Sequence, residues 1–211
     1  MHTTIYAIAE SPKNSDVIWA GTDDGNVQIT RDGGKTWTNV VANIPGLPKN
    51  AWVSSVEPGH FDDATAYATF DMHTFGDMKP YAYKTSDFGK SWTPVIAGGA
   101  PVRGYAHVIK EDLVNRDLLF MGTEQGLWIS LDGGKQWAQY KGGDLPNVAV
   151  HDIVIHPRDN DLIIATHGRA TCIVANITPP PPLTPAGLQS TVPFRPPAPL
   201  LPRPPPHTTR A

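Results

Sequence analysis

Short apolar runs rich in Val, Ile, Tyr, Phe and Trp alternate along this chain with clusters of Gly, Pro, Asn, Asp and Ser, and the order recurs. Residues 4–10, 17–21, 27–30 and 36–41 read as four strands, parted by turn clusters at 11–16 and 23–26. Residues 52–57, 64–70, 81–85 and 91–96 repeat the succession, with a longer excursion at 71–80 in place of the short turn. Residues 106–111, 118–122, 127–130 and 136–141 repeat it again. A fourth round, at 151–156, 162–166 and 171–175, stops after three strands. No stretch carries the sustained 3.6-residue apolar period of an amphipathic helix. The pattern predicts an all-β chain made of repeated units.

One octapeptide marks the repeats: Thr30-Arg31-Asp32-Gly33-Gly34-Lys35-Thr36-Trp37, Thr85-Ser86-Asp87-Phe88-Gly89-Lys90-Ser91-Trp92 and Ser130-Leu131-Asp132-Gly133-Gly134-Lys135-Gln136-Trp137. Its shared grammar is a hydroxyl, any residue, Asp, any residue, Gly, Lys, a polar residue and Trp. Each copy predicts a hairpin. The Asp accepts hydrogen bonds from the turn backbone. The Gly two residues on supplies the positive φ of a tight turn. The Trp opens the returning strand with a large apolar surface and an N–H that can reach a carbonyl. Asp32, Gly34, Trp37, Asp87, Gly89, Trp92, Asp132, Gly134 and Trp137 are therefore assigned to structure and not to catalysis.

These octapeptides resemble Asp-box (BNR) repeats, the signature of sialidase-like, sortilin-like and xyloglucanase-like β-propellers. In that family the box joins the third and fourth strands of a blade and lies outside the active site. Segments 52–58, 79–92, 119–124, 151–159 and 166–169 are similar to one group within it: bacterial BNR-repeat glycosyl hydrolases with a sortilin-type N-terminal propeller. There, a segment like Thr166-His167-Gly168-Arg169 leads into the last strand, and one like Leu183-Thr184-Pro185 leaves the ring. The aromatic and acidic run usual after that Arg is replaced here by Thr171-Cys172-Ile173-Val174-Ala175-Asn176.

The expected fold is a partial β-propeller of about three complete four-stranded blades plus an incomplete fourth. Its units are 1–45, 46–99, 100–145 and 146–177, together one blade region over 1–177. Closed propellers have about 4–8 blades, because closure removes the sheet edges. The open edges are expected to be covered by remaining blades of a larger propeller, of which this is the C-terminal part, or by self-association. Residues 178–211 change character, with Pro179-Pro180-Pro181-Pro182 and Pro204-Pro205-Pro206 among many prolines, and are expected to form a disordered linker or tail.

Charge narrows the partners. The net charge is −3, and the tail contributes Arg195, Arg203 and Arg210 with no acid, so the blades are mildly acidic. No basic stripe follows a phosphate backbone, and nucleic acid is excluded as an expected partner. Cys172 is the sole cysteine, so no internal disulfide forms and the redox compartment stays open. No apolar run approaches the ~20 residues of a membrane span. The first residues lack the basic and apolar regions of a signal peptide. The resemblance implies a secreted or periplasmic protein.

Candidate chemistry gathers at the starts of first strands and the ends of second strands. Trp52, Arg103, Tyr105, His151, His167, Arg169 and His73 are the candidate ligand-binding residues: aromatic faces for a sugar or a peptide anchor, and arginines for a carboxylate. The structural alternative is that Arg and His form salt links between blades. Asp152, Asp71 and Asp77 are the candidate catalytic acids of an inverting glycosidase, which needs two carboxylates ~6.5–9.5 Å apart. The three arginines of a sialidase have counterparts in Arg103, Arg158 and Arg169, but its Tyr–Glu nucleophile pair is not recognisable. No cofactor is expected, and no metal site: His151 and His156 are five apart on a strand and face opposite ways, while His60, Asp62 and Asp63 form a turn cluster. The favoured reading is a module that binds a protein, peptide or glycan at its axial mouth. The second is a fragment of a glycoside hydrolase.

Overall fold

A computed structural model describes residues 3–142 and 145–177; the tail expected at 178–211 lies outside the described residues. Four antiparallel sheets follow one another along the chain. The first is β1 (Ile5–Glu10), β2 (Ile18–Thr22), β3 (Val27–Thr30) and β4 (Thr38–Asn39), each strand beside the next. The second is β5 (Trp52–Pro58), β6 (Ala66–Met72), β7 (Asp77–Thr85) and β8 (Thr93–Pro94), and the third is β9 (Ala106–Glu111), β10 (Leu119–Thr123), β11 (Gly126–Ser130) and β12 (Ala138–Gln139). The fourth has three strands, β13 (Val150–Ile155), β14 (Leu162–Thr166) and β15 (Thr171–Val174). This is the partial β-propeller expected from the sequence.

Three apolar cores lie between successive sheets. Trp19, Val27 and Ile29 of the first sheet pack with Val53, Phe70 and Trp92 of the second. Tyr67 and Val95 of the second meet Ile109, Leu119, Met121 and Trp137 of the third. Phe120 and Leu127 of the third meet Val150, Ile153, Leu162 and Ile164 of the fourth. Side chains alternate across a strand, so a middle sheet feeds two cores. That is why all seven residues of β6 are buried.

The close approach of sheets dictates two glycines. A Cβ at Gly21 would come within 2.3 Å of Val53 in the next sheet, and one at Gly122 within 2.5 Å of the Val150 carbonyl.

The three octapeptides close their own turns. Thr36 and Ser91 each donate backbone N–H to an Asp Oδ1 at 2.9 Å and side-chain hydroxyl to Oδ2 at 2.6 Å, on Asp32 and Asp87 respectively. Gln136 donates its N–H to Asp132 at 2.9 Å. The leading hydroxyl, Thr30, Thr85 or Ser130, donates to the Asp and accepts the Gly N–H. Gly34, Gly89 and Gly134 all have positive φ. The indole N–H groups differ. Trp37 donates to Gly34 O, and Trp137 to both Gly134 O and Val95 O of the preceding sheet. Trp92 Nε1 is buried without a protein partner, and its ring stands edge-on against Trp19 at 5.9 Å in the first core.

Two elements depart from expectation. The fourth strands are two residues long, against the six read from sequence. They are outer edges, and Pro94 in β8 has no N–H to extend a ladder. The excursion at 71–80 is instead an extended hairpin: β7 starts at Asp77, which pairs with Met72 around a short 3₁₀ turn, His73–Phe75, closed by Gly76. Asp77 fixes it by accepting Lys79 N–H at 3.0 Å and Tyr81 O–H at 2.8 Å.

Candidate functional site: a mouth lined by rings

Every first strand carries a register shift at the same place. Pairing skips Tyr6 in β1, Ser54 in β5, His107 in β9 and His151 in β13. A bulge adds one unpaired residue and re-aims its side chain. The first strands lie side by side from sheet to sheet, so one bulge residue per sheet falls along their common line. Asp23, Glu124 and His167 follow the last paired residue of their second strands at this end, and Asp71 is the last residue of β6 paired with β5. The antiparallel order places this end of the sheets opposite the octapeptide turns.

Rings from three sheets make a continuous ladder here. His73 stacks on Tyr105 at 4.7 Å, and Tyr105 meets His107 edge-on at 4.8 Å. His107 stacks on His151 at 4.1 Å with 22° between planes, and His151 meets His167 edge-on at 5.2 Å. Trp52, in the same sheet as His73, stands edge-on to Tyr6 of the first sheet at 4.8 Å. Its Nε1 is buried without a protein partner.

Carboxylates brace the ladder. Asp71, buried, accepts His73 N–H at 2.8 Å and lies 2.7 Å from His73 Nδ1. Glu124 lies 3.1 Å from His107 Nε2. Burial holds the His107 imidazole below the usual histidine range, against the opposing pull of Glu124. Burial also opposes ionisation of Glu124, but hydrogen bonds from His107 and Tyr105 outweigh it and hold the carboxyl low. Tyr105 is pushed up to about 12 by burial, then by its bond to Glu124 and that carboxylate's charge.

The structure thus gathers His73, Tyr105, His151 and His167 from the sequence candidates, with Trp52 nearby. Arg103 and Arg169 are exposed, and neither side chain pairs with a carboxylate among the described residues. Arg158 is paired with its neighbour Asp159 at 2.8 Å. Asp152 is exposed and its side chain accepts the Ile153 N–H. The link between sheets is carried by Lys110 to Glu57 at 2.6 Å, with His60 on the same carboxylate at 3.1 Å, at the turn end of the strands.

Sequence reasoning missed His107 and Glu124. Superposing the repeats would have found them: Ala106-His107 falls on Val150-His151, and Thr123-Glu124 on Thr166-His167.

A cleft of about 270 Å³ opens elsewhere, along β11 and β12 against residues 145–147. It is lined by Leu127, Tyr140 and Pro146, and among the described residues its lining holds neither carboxylate nor histidine. The convergence of titratable groups and aromatic faces marks the mouth instead.

No family model and no curated protein matches this chain. Solved structures match it in fold. A GH74 enzyme described as ancestral has a TM-score of 0.58 at 20% identity, over 77% of this chain and 22% of that one. YCF48 bound to a D1 peptide has a TM-score of 0.53 at 21% identity, over 77% of this chain and 48% of that one. An auxiliary nutrient binding protein from Bacteroides thetaiotaomicron has 0.55 at 17% identity, over 77% and 36%. The chain spans less than half the length of each of these three structures. What it shares with them is the β-propeller fold, here as three four-stranded sheets and three strands of a fourth.

Proposed function

We propose that this chain is part of an Asp-box, sortilin-like propeller that binds a protein, peptide or glycan ligand at the mouth formed by its first strands. The ring ladder from His73 to His167 carries this reading. A run of rings from three sheets offers faces for sugar or peptide stacking, and Asp71 and Glu124 supply acceptors at its side. YCF48, one of the fold neighbours, was solved with a peptide, and another is named as nutrient binding.

The remaining blades belong to the same proposal. Trp92 and Trp137 are 4% and 5% exposed, each packed on the preceding sheet, whereas Trp37 in the first sheet is 42% exposed. Ile5, Tyr6 and Ile8 on β1 are also exposed. The first sheet therefore has the face that its counterparts bury against a neighbouring blade.

The glycoside-hydrolase reading rests on the GH74 neighbours. It is the weaker one, since Asp77 and Asp152 are each engaged by nearby N–H groups within their own loop or strand.

Screening the chain on peptide and glycan arrays, followed by titration of the best binder, tests the proposal. Tyr105→Ala is expected to weaken that binder about tenfold, as loss of a stacked ring does. Equal affinity for wild type, Tyr105→Ala and His167→Ala would overturn it. Hydrolysis of aryl glycosides that disappears in Asp152→Asn would favour the enzyme instead.

A further inference from the structure

We propose that His107, Glu124 and His151 form a binding site for a divalent transition metal ion, Zn²⁺ by donor chemistry. One ligand atom from each lies within 4.8 Å of the other two. His107 and His151 are the bulge residues of β9 and β13, and Glu124 follows β10. The site thus joins two adjacent sheets at the axis.

Two imidazoles and one carboxylate suit Zn²⁺, whereas Mg²⁺ and Ca²⁺ prefer all-oxygen sets. Tetrahedral coordination with ~2.1 Å bonds puts donors ~3.4 Å apart. His107 Nε2 and Glu124 Oε2 are already 3.1 Å apart. The set closes when the exposed His151 ring tilts out of its stack on His107. The Tyr105 hydroxyl bonds Glu124 and orients it as a ligand's outer partner does. Three protein ligands leave a coordination position for water or for an oxygen of a molecule in the mouth.

The inference does not depend on what organic ligand the mouth takes, because the probe is the metal alone. Calorimetry with zinc chloride on the whole chain is expected to show one saturable site. Cobalt(II) is expected to give the visible absorption of a four-coordinate centre. His151→Gln and Glu124→Gln are expected to abolish both signals with the melting temperature of the metal-free protein little changed. His151 is exposed, so its variant tests the site even where His107→Gln perturbs folding. His156→Gln, at the other end of β13, is expected to bind as wild type does. Absence of saturable zinc binding, or binding that survives His151→Gln and Glu124→Gln, would overturn the proposal.

Discussion

Asp32, Asp87 and Asp132 each hold a turn by accepting donors four residues on. Removing one hands these exposed donors to water and leaves the turn without its clasp. Asp87→Ala is expected to cost ~1 kcal/mol, read as a lower melting temperature. The same bonds make the turns acid-sensitive. Bonds from the Thr36 hydroxyl and amide hold Asp32 down to about 2, and those of Ser91 hold Asp87 below the usual range. A carboxyl with a folded value below its unfolded one adds stability above the unfolded value and loses it as pH falls through the folded one. Melting temperature is therefore expected to drop as pH falls from about 4 towards 2, and by less in the Asp87→Ala variant. The tryptophans give a sharper contrast. Trp137→Phe strips the buried Val95 carbonyl of a donor at 2.8 Å, whereas Trp92→Phe removes an N–H that has no protein partner. The first is expected to destabilise more than the second by ~1 kcal/mol in urea unfolding. The turn roles were legible because octapeptide chemistry is local. The different fates of the three indoles were not, since each depends on the sheet behind it.

Strands and their order were legible from apolar runs and turn clusters, but strand lengths were not. The fourth strands shrink to two residues because they are edges, a property of the assembled sheet. The bulges at Tyr6, Ser54, His107 and His151 have no residue signature of their own, and they decide what faces the mouth. This is why His107 and Glu124 went unread while Arg103 and Arg169, the stronger signals by residue type, point outward to solvent. The small residue beside the bulge has a testable role. Gly122 sits where a Cβ would meet Val150 of the next sheet. Gly122→Ala is expected to wedge β10 from β13 and cost ~1–3 kcal/mol in urea unfolding, with Gly21→Ala acting alike against Val53. A loss much below that range would show the sheets to be less tightly apposed than described.

Across the whole molecule, three cores hold four sheets side by side and leave the outer face of β1 bare. Exposed apolar patches of this kind drive association. An Ile5→Ser/Ile8→Ser double variant is expected to lower concentration-dependent association in sedimentation velocity. The mouth is the other whole-molecule feature, since no single sheet contains it. Four described histidines, His73, His107, His151 and His167, belong to it, while His60 and His156 sit at the opposite end of the strands. Imidazole nitrogen–proton correlation spectra, recorded while a binder from the arrays is titrated in, test the central claim most directly. The account expects the four mouth histidines to shift together with one dissociation constant, and His60 and His156 to stay still. Shifts confined to His60 or His156, with the four unmoved at saturation, would contradict it.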